Sequence, residues 1–406
     1  MRKCRICAGS EFKEVIDFGP SPLVNSLLEK EECGNEKTYP LKVEQCQNCF
    51  LVQIVEPIDS QKIYQDQDYL YYTGDMPGNS DYIKSFDSLV GEIGEKYSKL
   101  GDFVVEIGSN DGFVLGKFKK RKVLGVDPAT NVAIRALKNG IPTLSAPFNQ
   151  RHALTIAKEF GLAQVIGGAN CLAHIDDIYS VMKGVNVLLA DDGVFWVECN
   201  YWGGMVKNKH YALIYHDHYS YFSLKNWMDI LGKIDMRVFD AYITAAQGQE
   251  GLSLRLFACR NTSDREMTER FYQLEVEEDR SKLNSYETAE RYRQDVLVEA
   301  RKLKQLVAKI KEEGKTIAGY GAAAKGFSLL QLAGITNEIS YFVDDSPAKQ
   351  GKFTPVNHIP VVARKNAEDP DFFFITAPNY AKIIMEREQE FRNRGGKFIL
   401  ADGSIA

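Results

Sequence analysis

Two pairs of cysteines, Cys4-x-x-Cys7 and Cys46-x-x-Cys49, constrain this chain more than any other feature. Two residues between cysteines let both thiolates approach one ion from a tight turn. Two such pairs complete a tetrahedral shell, the closed geometry of structural zinc. Four thiolates leave no open coordination position, so the expected Zn2+ is structural, not catalytic. Cys33, Cys171, Cys199 and Cys259 lack paired partners and read as ordinary core residues.

The same cysteines bear on compartment. They sit in a chain of 406 residues whose start, MRKCRICAGS, lacks the apolar stretch of a secretory signal. A reducing cytoplasm without disulfides is the expected setting. No apolar run approaches the ~20 residues of a membrane span. The formal net charge of -5 gives no broad attraction for nucleic acid or anionic lipid. The sequence leaves the oligomeric state open, with a monomer admitted.

Hydropathy patterning divides the rest. Residues 1–85 form the zinc-binding and tyrosine-rich N-terminal lobe, with Tyr64, Tyr69, Tyr71, Tyr72 and Tyr82 in its second part. Over 86–262, buried-strand runs (FVVEIG, KVLGVD, AQVIGG, VFWVEC, SLRLFAC) alternate with helical stretches, predicting a mainly parallel, Rossmann-like sheet. Residues 263–314 are highly charged, lack proline and repeat apolar positions at helical spacing (Val296, Ala300, Leu303, Val307), so they read as a helical connector. Residues 315–406 start a second α/β unit with TIAGYG, AAAKGFSLLQLAG, ISYFVDD, FFFIT and KFILAD. The expected fold class is α/β: zinc lobe, central Rossmann-like domain, C-terminal Rossmann-like domain.

The run VVEIGSNDGFVL places Glu106, Gly108 and Gly112 as E-x-G-x-x-x-G after a strand, with a helix start expected to follow. A nicotinamide fingerprint wants glycine where Asn110 stands. The next strand ends in Asp127, where a carboxylate accepts both ribose hydroxyls of an adenosine ligand. Asn170 and His174, in GGANCLAHIDD, fall near further strand ends on the same side. A lone histidine in an apolar stretch also reads as a satisfied core residue.

The stretch YHDHYSYFS concentrates Tyr215, His216, Asp217, His218 and Tyr221. Histidine takes a proton near neutral pH, a carboxylate orients an imidazole, and tyrosines donate to a developing oxyanion. A polar surface loop is the plain alternative. The loop GYGAAAKG, with Lys325, and Asn379 after FFFIT occupy strand ends of the C-terminal unit. Its G-x-G-x-x-A pattern also suits a dinucleotide, with Asp344 or Asp345 as the ribose acid. An NAD(P)-dependent oxidoreductase is therefore the rival reading, and a non-catalytic nucleotide-sugar-binding protein a third.

Taken together and in order, the cysteine lobe, DYLYYTG, EIGSNDG, NCLAHIDD, YHDHYSYFS, GYGAAAKG and DDSPAKQGK resemble the zinc-containing sugar C-methyltransferases of branched-chain deoxysugar biosynthesis. The resemblance implies S-adenosylmethionine (SAM) as cofactor and a nucleotide-diphosphate 4-keto deoxysugar as substrate. It implies His218 as the base that removes the proton beside the ketone, supported by Tyr215, His216 and Asp217, with Tyr71 an active-site tyrosine. Glu106, Gly108, Asn110, Gly112, Asp127, Asn170 and His174 fall on the cofactor side. Tyr69, Tyr221, Lys325 and Asn379 fall on the substrate side. Two departures stand out. The family's glutamate between the histidines is Asp217, and its H-G-G-S-x-R stretch reads Glu250-Gly251-Leu252-Ser253-Leu254-Arg255. Both are expected near the substrate.

Overall fold

A computed structural model describes residues 2–64, 69–76, 80–244 and 252–406. Glu250 and Gly251 of the altered stretch, and the side chain of Asn379, lie outside the described residues.

Three sheets carry the chain. Phe103–Ile107, the FVVEI run, sits inside a seven-stranded sheet, and all of its residues are buried. A strand covered on both faces needs such a continuous apolar run. Its neighbours are Ala163–Ala169 on one side and Lys122–Asp127 on the other, both parallel to it. Thr143–Ser145 closes that edge. On the other side Leu189–Asn200 is also parallel, but Ser253–Arg260 and Met236–Thr244 then join antiparallel, as a hairpin. The side chains alternate: Val105 and Ile107 join the main core, while Val104 packs with Phe86, Leu89 and Ile93 of the helix Asp81–Lys96. That helix runs across the boundary expected at 85, so Tyr82 belongs to the methyltransferase-side packing.

The N-terminal lobe is an antiparallel sheet of Phe12–Pro22, Thr38–Cys46 and Val52–Ile54. Its fourth strand, Ser220–Tyr221, comes from the middle of the chain and pairs Tyr221 with Val52. The connector is two helices, Glu269–Arg280 and Tyr286–Glu312. Val296, Ala300, Leu303 and Val307 all face inward on the second. Its N-terminus is capped by the Ser285 side chain, which accepts from the Thr288 amide. The C-terminal sheet is wholly parallel, in the order Val361–Val362, Phe342–Val343, Ile317–Tyr320, Phe372–Ile375, Lys397–Ile399. Strand order reverses between Ile317–Tyr320 and Phe372–Ile375, and a crevice opens beyond the carboxyl ends at such a point.

Arg255 corrects an expectation. It is buried in the sheet, away from the residues that line the central cavity. Its guanidinium donates to Glu198 Oε2 from Nε (2.8 Å) and Nη2 (2.5 Å), and Nη2 also reaches Ser85 Oγ at 2.8 Å. Arg255 and Glu198 are register partners on adjacent strands, and Ser85 lies on the helix above. The pair therefore ties helix to sheet. Removing one partner strands a buried charge, so Arg255→Ala should cost about 3–5 kcal/mol in urea unfolding followed by tryptophan fluorescence. Glu198→Leu with Arg255→Met should recover most of that loss.

Candidate active site

One large cavity, about 890 Å3, lies where the N-terminal lobe, the central sheet and the C-terminal unit converge. Its walls hold Asn25, Tyr64, Tyr69 and Tyr71 from the first, Glu106, Gly108, Asn110, Asp127, Asn170, His174, Tyr215 and His218 from the second, and Lys325, Lys349 and Tyr380 from the third.

The loop after Phe103–Ile107 turns through three left-handed residues, Gly108 (φ 64°), Asn110 (φ 52°) and Gly112 (φ 77°). A Cβ on Gly108 would stand 2.5 Å from Cys171 Cβ, so only glycine fits that approach. The helix expected after this loop is absent. The chain makes only the short 3-10 turn Leu115–Lys117, because Gly112 and Gly116 flank β-branched Val114 and weaken any helix start. Asp127 Oδ2 accepts from the Asn110 amide and Oδ1 from the Ala129 amide, both at 2.9 Å. Each oxygen keeps a further lone pair for a ligand hydroxyl. Burial pushes the Asp127 carboxyl up to about 6. Glu106 is buried too, its Oε2 has no partner among the described residues, and burial beside Asp127 and Asp111 raises its carboxyl well above the usual range. An unfilled carboxylate oxygen, a paired acid at the next strand end and a backbone cradle together fit an adenosyl ligand carrying a cationic group.

Asn110 also works outward. Its Oδ1 accepts from the Thr73 amide (2.9 Å) and its Nδ2 donates to the Tyr71 carbonyl (3.0 Å). The Gly74 amide donates to Asp111, and Arg135 pairs with Asp75. The tyrosine segment is thereby strapped onto the cofactor loop, with Tyr69 and Tyr71 on the cavity wall. Asn170, also left-handed (φ 55°), donates to Tyr82 Oη at 3.0 Å.

His218 stands at the centre. Its Nδ1 lies 2.6 Å from the Leu213 carbonyl, which can only accept, so Nδ1 carries the proton. Nε2 then offers a lone pair, met by the Tyr215 hydroxyl at 3.0 Å, while the Asn200 amide nitrogen packs on the ring, 3.4 Å from Nδ1 and 3.3 Å from Nε2. Burial, with His174 and Lys325 nearby, holds the imidazole well below its ordinary pKa. It is neutral at pH 7. The backbone places it: the Tyr219 amide donates to the Ala173 carbonyl (2.7 Å), and the Ile54 amide donates to the Tyr219 carbonyl (3.0 Å).

Not every expected residue lines the cavity. His216 turns away, with Nε2 3.3 Å from the Tyr39 carbonyl. Tyr221 is a core residue whose hydroxyl donates to the Leu213 carbonyl. Asp217 is buried behind the wall, where burial raises its carboxyl to about 6, and it accepts from Asn25 Nδ2 at 2.5 Å. Gly112, at the end of the loop, packs on Ile141 and is not among the residues that line the cavity. Conversely Asn25, Tyr64, Asn200 and Lys349 join the site unforeseen. Asn200 is readable as a strand end, like Asn170. Asn25 carries no sequence signal.

In the C-terminal unit, Lys325 opens the helix Ala324–Ala333, and burial lowers its ammonium to about 7. Asp344 accepts from the Ala322 amide (2.8 Å), the Ser346 amide (2.9 Å) and Lys349 (3.2 Å), and Asp345 pairs with Arg387 at 2.8 Å.

The four cysteine sulfurs lie within 4.8 Å of one another, with Cys4–Cys49 and Cys7–Cys46 each at 3.5 Å. A tetrahedral ion at ~2.3 Å sets its thiolates about 3.8 Å apart. The amides of Gly9 and Asn48 approach Cys7 and Cys46 at 3.4 Å, so backbone donors support the sulfurs. The residues fit a closed structural zinc site. The Cys49 carbonyl accepts from Asn226, and Lys233 and Tyr179 donate to the Ile6 carbonyl, so the knuckles are anchored to the central domain.

Three family models match the chain. Residues 4–64 match a putative zinc-binding domain, 80–239 a methyltransferase domain, and 248–401 a C-methyltransferase C-terminal domain. The C-methyltransferase NovU of Streptomyces niveus is 34% identical over 98% of this chain and 94% of its own length. Two solved methyltransferases are similar over less than half of the chain. One, an S-adenosylmethionine-dependent enzyme from Clostridium acetobutylicum, is 13% identical, with 45% of this chain and 93% of that one covered and a TM-score of 0.36. The other, the plantazolicin methyltransferase BpumL in complex with SAH, is 12% identical, covering 46% and 86%, at 0.37.

Two outcomes are expected. Cys46→Ser should lose most bound zinc by plasma mass spectrometry and lower the thermal midpoint. Cys33, expected in the core, is instead partly exposed, and Cys33→Ser should stay within about 0.5 kcal/mol of the parent. Ribose hydroxyls donate more strongly to the Asp127 carboxylate than to the neutral acid. SAM affinity should therefore fall as pH drops through about 6, by up to roughly tenfold per pH unit below it. Calorimetry across pH 5–8 reads this directly, and Asp127→Asn should flatten the profile.

Proposed function

The chain belongs to the C-methyltransferase family that joins a zinc-binding lobe to a SAM-dependent methyltransferase domain, and from that premise we propose that it methylates the carbon beside the ketone of a nucleotide-diphosphate 4-keto deoxysugar. The observation that carries the reading is His218, with its Nδ1 proton committed to the Leu213 carbonyl and its Nε2 lone pair on a cavity wall shared by the cofactor loop and the C-terminal loops.

Bound SAM supplies an electrophilic methyl group. The chain does the rest. Glu106, Gly108 and Asp127 hold the nucleoside side, with Asn110 and Asn170 shaping the wall around it. On the substrate side, Lys325 and Lys349 face the crevice of the C-terminal sheet and suit a diphosphate. Tyr69 and Tyr71 close the opposite wall.

His218 Nε2 takes the proton from the carbon next to the ketone. Tyr215, which donates to that nitrogen, and Asn200, packed on the ring, hold it in place until the substrate displaces the tyrosine hydroxyl. Bound SAM would supply its methyl group to the resulting enolate carbon, leaving as S-adenosylhomocysteine, and His218 then gives its proton to solvent. A low imidazole pKa keeps His218 unprotonated and ready across the neutral range. Asp217, shorter than the family's glutamate, acts on the wall through Asn25, without touching the sugar.

The test is incubation with SAM and a panel of thymidine- and uridine-diphosphate 4-keto-6-deoxysugars, followed by mass spectrometry. A gain of one methylene, with S-adenosylhomocysteine formed in equal amount, is expected. His218→Ala should lower kcat by about 10²–10⁴-fold while SAM affinity stays near wild type. Tight NAD(H) binding with no SAM binding would reverse the reading.

A further inference from the structure

Arg5 stands between two of the four cysteines, in Cys4-Arg5-Ile6-Cys7, yet its side-chain hydrogen bonds lie outside the knuckle. Only 8% of that side chain is exposed. Its Nε donates to Asp176 Oδ1 at 2.6 Å, and its Nη1 donates to Gln53 Oε1 at 2.9 Å and to the Ile54 carbonyl at 3.0 Å. The guanidinium carbon lies over the Tyr219 ring, 5.8 Å from its centre. The Arg5 amide also donates to Gln53 Oε1, at 3.3 Å. One residue thus touches three segments: the strand Val52–Ile54, the residue that follows His218, and the loop after the 3-10 turn Leu172–His174.

These are the segments whose backbone places His218. The Ile54 amide donates to the Tyr219 carbonyl (3.0 Å), the Tyr219 amide donates to the Ala173 carbonyl (2.7 Å), and Gln53 faces Ser220 in register. Asp176 and Tyr219 themselves line the cavity. Closing four thiolates on one ion fixes the backbone on either side of Arg5, and so fixes the point from which its side chain reaches. We propose that Arg5 is the positioning residue through which the zinc knuckle holds residues 218–221 against the cavity wall. The assignment rests on the proposed role of His218 as the base in sugar C-methylation, and it gives a metal with no open coordination position a bearing on the reaction.

The chemistry calls for arginine. A planar guanidinium offers donors in fixed directions, so Nε and Nη1 meet acceptors on two segments while the plane rests on the Tyr219 ring. A lysine supplies one point charge and can keep little more than the Asp176 pair. That pair alone contributes little, because the Asp176 side chain is 60% exposed. The weight falls on the bonds to Gln53 and Ile54, both buried, where water does not replace a lost charged donor. Displacing a base by ~1 Å costs about 100-fold in rate, so a small slackening of this clasp is enough to be read in kcat.

The experiment compares the full-length wild type with Arg5→Lys, Arg5→Ala and a control, Arg2→Ala, whose arginine pairs with Glu44 at the surface of the same lobe. Zinc is counted by plasma mass spectrometry, and backbone amide exchange is followed by mass spectrometry over residues 213–222, with 103–112 as reference. Arg5→Lys should retain its zinc and hold SAM within about twofold of wild type, while the amides of 219–221 exchange at least about tenfold faster. On the keto-sugar panel its kcat should fall about 10–100-fold with KM within about twofold, and Arg5→Ala should fall further. Arg2→Ala should match wild type in both readings. A residue that only adds stability would lower the thermal midpoint and leave kcat of the folded protein unchanged. Wild-type exchange at 219–221 in Arg5→Lys, an unchanged kcat, or a loss of kcat that tracks lost zinc would each overturn the proposal and leave sugar C-methylation standing. If Arg5→Ala fails to fold, Arg5→Lys decides. A wild-type protein that methylates none of the panel would overturn sugar C-methylation instead, and exchange at 219–221 would still decide whether Arg5 holds that strip.

Discussion

The structure depends on a short strip of backbone, residues 218–221, shared by two lobes. The Tyr219 amide bonds the Ala173 carbonyl on the central-domain side, its carbonyl accepts from Ile54 of the zinc lobe, and Tyr221 then pairs with Val52. Backbone hydrogen bonds fix position more tightly than side-chain packing, because both ends are bound to covalently rigid peptide planes. The imidazole of His218 hangs from this strip. A four-stranded sheet that draws one strand from a distant part of the chain thus sets the location of this imidazole. The zinc knuckles stiffen the same sheet at its other end, through Cys46 at the close of Thr38–Cys46 and the Asn226 bond to the Cys49 carbonyl.

Burial then sets the charge state of the cavity. Two imidazoles are driven neutral, Glu106 and Asp127 are driven toward their protonated forms, and the Lys325 ammonium is lowered. All of these shifts have one leading cause, loss of water around the group. A site that burial depletes of charge gains most from ligands that bring it.

Much of this is legible in the amino-acid order alone. The cysteine spacing carries the zinc lobe because metal geometry acts over only a few residues. Runs such as FVVEIG and FFFIT carry the two parallel sheets, and the loop from Glu106 to Gly112 with Asp127 carries the cofactor wall. What is not legible is what tertiary pairing decides. His216 and His218 are two residues apart, yet one meets the Tyr39 carbonyl and the other the cavity. Nothing in the local pattern distinguishes them. Arg255 reads as a polar residue near a substrate, and only the register opposite Glu198 shows it to be a strut within the sheet. The helix expected after Gly112 gives way to a single 3-10 turn because two glycines outweigh the strand-to-helix habit of such folds.

Asn110 has a consequence of its own. Its amide fixes the acid at 127, while its side chain grips the backbone of Tyr71 and Thr73. One residue is at once part of the floor under the nucleoside and the rivet of the wall across from it. The backbone beside the acid at 127 and the wall of Tyr71 and Thr73 therefore share one mechanical joint, so a substitution at 110 loosens both at once.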